Sequence, residues 1–176
     1  MAKTISYEKL LRSAFLPAAT LVLAKIVAFW LIISTMNINW TLNFDTKSFL
    51  GMYPLIRNED IMSFTSYTDI IFLSIMLFGL VYYVLAAKFL HNTHINPKII
   101  ARLAKYNLLF LIKDNFRLYH EMVMWLIFTW IANFLVLVNS IDGRTMIGIP
   151  TFSILFTAFL TVVFIKDACL ELEKKK

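Results

Sequence analysis

Lys25 stands near the middle of an apolar run, residues 14–36. A lysine at the centre of a membrane helix costs about 2.5–3.5 kcal/mol to insert. Roughly ten Leu, Ile, Phe and Val neighbours, at about 0.3–0.6 kcal/mol each, offset that cost, so insertion survives. The ammonium still needs company. Ala18, Lys25 and Ala28 share one helical face, and small neighbours mark a packed side. Thr129, Thr157 and Tyr82 or Tyr83 are expected at similar depth. No acid is: Asp69 is expected near the outer edge and Glu121 near the inner edge. Two chemistries are open. The plain one is a lysine that snorkels or donates to hydroxyls and carbonyls. The functional one is a charge that binds an anion or the acid of a partner's helix.

A second set of polar residues recurs at four-residue spacing. Glu121, Trp125, Thr129 and Asn133 form one series, and Ser153, Thr157 and Thr161 another. Such stripes let membrane helices approach closely and exchange weak hydrogen bonds. The two runs are joined by Ile141-Asp142-Gly143-Arg144, a tight turn with glycine as pivot, so they are expected to be antiparallel neighbours. Matching depths puts Thr129 beside Thr157 and Asn133 beside Ser153. Packing is the simpler purpose of this seam, and a permeation path is the alternative.

Other chemistry finds little support. His91, His94 and His120-Glu121 are the candidates for a zinc site, but interfacial histidines are common and these are few. No Ser, Cys or Thr sits in a nucleophile motif beside His and an acid. The single Cys169 excludes an internal disulfide, a CxxC pair and a thiolate metal site. The expectation is therefore no enzyme, no cofactor and no metal.

The elements that must position these residues are four apolar stretches, at about 14–36, 70–87, 122–140 and 145–165. Each is close to the ~20 residues that cross ~30 Å of hydrocarbon. Only helices satisfy their own backbone in lipid at this length, so the expected fold is all-α, a polytopic membrane protein with four transmembrane helices in a single domain. With 60% of residues hydrophobic, the chain has far more apolar surface than a soluble core of this length needs. Pro150 suits a first helical turn, with 145–149 as a less regular lead-in. Span one is longer than a signal-peptide core and lacks a small-x-small cleavage site, so it reads as an uncleaved anchor.

Lysine and arginine set the expected orientation. Lys3, Lys9 and Arg12 precede span one, six basic residues from Lys88 to Arg117 lie between spans two and three, and Lys166 and Lys174 to Lys176 follow span four. The opposite side holds Lys47, Arg57 and Arg144. Both termini should therefore be cytoplasmic, in a plasma or inner membrane. The net charge of +6 then points to a membrane surface and not to nucleic acid.

Two loops carry further signal. In the outer loop, 37–67, Trp40, Leu42 and Phe44 alternate with polar residues, which suggests a short extended segment. Its apolar content predicts an interfacial cap over the helices, or else a partner-binding surface. The sequon Asn39-Trp40-Thr41 lies next to the membrane and is read as a chance match. In the cytoplasmic segment, 96–120, Pro97 opens a helix that places Lys98, Arg102 and Lys105 on one face and Ile99, Leu103, Tyr106 and Phe110 on the neighbouring one. This amphipathic interfacial helix is expected on an anionic inner leaflet, with a cytosolic docking site as the alternative. The apolar stretch Leu108 to Ile112 covers only ~8 Å as helix and should dip into the interface or pack beneath the bundle.

From these readings the chain is expected to be a non-enzymatic subunit, anchor or accessory of a membrane assembly, with other membrane proteins or itself as partner. A small transporter or channel subunit using Lys25, Thr129, Asn133 and Thr157 is the alternative.

Overall fold

The computed structural model describes residues 7–36, 41–44, 52–55, 58–89, 97–108 and 115–173. Its elements are α1 (Tyr7–Met36), β1 (Thr41–Phe44), β2 (Met52–Leu55), α2 (Asn58–Phe89), α3 (Pro97–Lys105), α4 (Asn115–Ile141) and α5 (Gly148–Glu173). Four of the helices are long and apolar enough to cross a membrane, over Ser13–Met36, Ile61–Phe89, Leu118–Ile141 and Gly148–Leu170. The protein is thus a helical membrane protein carrying one small antiparallel hairpin, in which Thr41 faces Leu55 and Phe44 faces Met52. The alternating segment around Leu42 is the first strand of that hairpin.

Helices α2 and α4 touch each other and both flanking helices, whereas α1 and α5 do not touch among the described residues. The cross-section is therefore a diamond with α2 and α4 on its short diagonal. Its core is apolar and filled: Phe72, Met76 and Leu80 from α2 meet Leu118, Met122 and Val136 from α4, all fully buried. α1 contributes Ala24 and Ala28, small residues that allow close approach. The outward faces carry Val22, Leu23, Phe134, Phe152, Leu155 and Phe159, as a lipid-facing surface requires.

Two helices end in the same motif. In α4, Arg144 N–H donates to the Asn139 carbonyl at 2.9 Å and Gly143 N–H to Ser140 at 3.1 Å, with Gly143 at φ 71°. In α3, Leu108 N–H donates to Leu103 at 2.8 Å and Asn107 N–H to Ala104 at 3.1 Å, with Asn107 at φ 55°. Both are Schellman stops, which need a left-handed residue after the helix, and glycine or asparagine adopts it most easily. The expected pivot at Gly143 is this one.

The helix α2 begins at Asn58, twelve residues before the expected start at 70. The segment Asn58 to Asp69 is polar in composition, which is why it resembles a loop. Its buried positions nonetheless continue the helical period: Phe64, Thr68, Phe72, Met76 and Leu80. The expected cap over the helices falls largely on residues 37–40, 45–51 and 56–57, which lie outside the described residues. The extra turns of α2, with α1 running on to Met36, carry the chain away from the other two spans before the hairpin forms.

Candidate functional site

Asp69 is the most enclosed charge among the described residues. Its side chain has no solvent-accessible surface, against 44% for that of Lys25, with which it forms an ion pair. The other carboxylate oxygen accepts from Asn139 Nδ2 at 3.1 Å and from Thr145 Oγ1 at 2.7 Å. The site therefore joins α1, α2, α4 and the turn before α5. The Lys25 ammonium also lies 5.3 Å from the centre of the Phe72 ring, a cation–π distance. One turn above, buried Ser66 accepts the Met146 backbone N–H at 3.1 Å. A carboxylate with three donors is satisfied at its depth, and charge-assisted bonds of this kind are stronger than neutral ones.

The expectation that no acid of the chain lies at the level of Lys25 is corrected by this pair. Asp69 and Lys25 lie at one level of the bundle. Asp69 lies eleven residues inside α2, because that helix starts at Asn58. The motive for seeking an anion or a partner's acid at Lys25 goes with it.

The seam between α4 and α5 is the second polar feature. Asn133 Nδ2 donates to Thr157 Oγ1 at 2.8 Å, and Ser153 Oγ donates to Asn133 Oδ1. Asn133, Ser153 and Thr157 are all buried. Asn133 thus meets Ser153, as expected from the turn sequence, and also Thr157 one turn further along α5. Thr129 is buried beside them but does not reach Thr157; its hydroxyl donates to the Trp125 carbonyl of its own helix at 2.7 Å. Thr161 likewise bonds back to Thr157 at 2.7 Å.

Toward the end of the bundle that carries α3, polar side chains give way to the stacked rings of Tyr83 and Trp125, 5.5 Å apart, and to Met122 and Leu118. Gly79 makes room for that stack: a Cβ there would lie 2.1 Å from Trp125 Cζ3. At this same end Tyr119 Oη donates to Asp167 Oδ2 at 2.8 Å, a second tie between α4 and α5.

Sequence reasoning singled out Lys25 and Asn133 but missed Asp69, Asn139, Thr145, Ser66 and the Tyr119–Asp167 bond. The signal for Asp69 was the helical period running back through Phe64. His91 and His94 lie outside the described residues, and no group of three or more His, Cys, Asp or Glu is gathered for a metal among the described ones. Lys98, Arg102 and Lys105 lie on α3, apart from both polar clusters.

The chain matches no family model, no curated protein and no solved structure. Its function must be argued from its own residues.

Proposed function

We propose that this chain is a non-enzymatic subunit, anchor or accessory factor of a membrane assembly, with the α3 end cytoplasmic, and that its partner covers the outer halves of α1 and α2. One observation carries this. The turn between α4 and α5 is held at the level of Ser66 and Asp69, through Met146 and Thr145. α2 runs eight residues beyond Ser66, which is about 12 Å at the helical rise. α1 runs eleven residues beyond Lys25, about 16 Å. The projecting pair is held together by Phe29, Ile32, Ile33 and Phe64, with the Phe29 and Phe64 rings edge to face at 5.6 Å. On its outside stand Trp30, Leu31, Met36, Met62 and Tyr67, all exposed.

No single bilayer edge suits both pairs of helices. An edge at the α4–α5 turn keeps exposed Asp142 and Arg144 wet but leaves Trp30, Leu31 and Met36 in water. An edge at Met36 shelters those residues but draws Asp142 and Arg144 toward hydrocarbon, where each charge costs up to about 2.5–3.5 kcal/mol. A protein partner beside the projecting pair resolves the conflict. The transporter alternative has less support, because the Asn133 cluster and Asp69 are bonded within the chain and the core below them is filled with apolar side chains.

The test is photo-crosslinking in native membranes. A photoreactive amino acid at Trp30, 57% exposed, should give a discrete protein adduct. The same group at Phe159, 61% exposed on the face of α5, should give lipid adducts only. Identical lipid-only patterns at both positions would refute the assembly reading.

A further inference from the structure

Among the described helices, α3 alone packs on no other. Lys98, Ile100, Arg102, Lys105 and Tyr106 are exposed, and among the described side chains Leu103 and Leu108 are half-buried. The Schellman stop at Asn107 explains that pair, since it returns Leu108 toward Leu103. Nine residues are fewer than the roughly 12–15 that an isolated helix needs in water. Support for α3 therefore comes from outside the packing of the described helices.

Its faces say what that is. At 100° per residue, Lys98, Arg102 and Lys105 fall within about 60° of arc, and Ile100, Leu103 and Tyr106 occupy the arc beyond Arg102. The Lys105 ammonium lies 6.0 Å from the Tyr106 ring centre. Seven residues separate Phe89 from Pro97, so the chain cannot carry α3 more than about 30 Å from the end of α2. The headgroup layer at the end of α2 is within that reach. A planar surface with negative charge above hydrocarbon matches both faces at that level, whereas an acidic soluble protein matches the basic face alone.

We infer that α3 docks on a leaflet of anionic phospholipid, with Ile100, Leu103 and Tyr106 in the interface and Arg102 and Lys105 on the phosphates. This interaction is independent of the partner proposed for α1 and α2.

The experiment uses the full-length protein with Cys169→Ser and a nitroxide label on Ile100→Cys, in nanodiscs of phosphatidylcholine with or without phosphatidylglycerol. In anionic discs the label should be shielded from a water-soluble nickel chelate and open to oxygen. Arg102→Gln and Lys105→Gln should each lower the docked-to-free ratio about fivefold, on the order of thirtyfold together, and added salt should act in the same direction. Unchanged thermal unfolding of the bundle shows that the variants fold. A label open to nickel in anionic discs, or shielded equally in both discs whatever the charge, would overturn the inference. So would shielding that appears only after a soluble acidic protein is added.

Discussion

Replacing Lys25 by Met removes the cation that faces the fully enclosed carboxylate of Asp69. Viewed as a lone charge in span one, Lys25 is a burden, and its loss should stabilise the protein slightly. The ion pair reverses that sign. After Lys25→Met, Asp69 keeps Asn139 and Thr145 as donors but has no countercharge, and breaking a buried pair in this way costs about 3–5 kcal/mol. Because Lys25 is itself 44% exposed, the lower end of that range applies, about 3 kcal/mol. Asp69→Asn should be milder, about 1.5–3 kcal/mol, since it removes one charged hydrogen bond and leaves an ammonium long enough to snorkel. The double variant Lys25→Met with Asp69→Asn should be more stable than Lys25→Met alone, with a coupling of about 1–3 kcal/mol. Equilibrium unfolding in mixed micelles of mild detergent and dodecyl sulfate, followed by tryptophan fluorescence, gives all four corners of the cycle. Additive effects, or a Lys25→Met protein as stable as the parent, would refute the reasoning.

Other outcomes follow from the same geometry. Gly79→Ala should destabilise by about 1–3 kcal/mol, because its methyl group displaces Trp125 from the Tyr83 stack; a thermal melt with near-ultraviolet circular dichroism reads both effects. Asn133→Leu should cost only about 1–2 kcal/mol in the same micelle titration, since interhelical bonds in membranes average about 0.6 kcal/mol each and the Ser153 and Thr157 hydroxyls can turn back to their own helix. In a Cys169→Ser background, cysteines at Asp142 and Thr46 should react with an impermeant thiol reagent outside intact cells, and one at Lys105 only after permeabilisation. Labelling of position 105 in intact cells would reverse the orientation proposed from the basic residues.

The features legible in the sequence are those fixed over short distances. Four spans follow from runs of apolar residues, because backbone groups in lipid must be bonded within each segment. The stop at Gly143 and the start of α3 at Pro97 follow from the backbone preferences of single residues. The contact of Asn133 with Ser153 follows from a short turn that forces neighbouring helices to run antiparallel, whereas Thr157 bonds Asn133 and not Thr129. Axial register across helices is a different matter. Lys25 and Asp69 are 44 residues apart, and Asp69 and Thr145 are 76 apart. Their meeting depends on where α2 begins and how far α1 and α2 slide past α4 and α5. Local composition hid the first, because Asn58 to Asp69 is polar enough to pass for loop. Packing settled the second, since Ala24 and Ala28 let α1 sit close on its neighbours at the height where Lys25 reaches the carboxylate. Sequence placed a charge in the membrane; only the tertiary fold supplied its partner, because side-chain depth is set by contacts between helices and not by position within one.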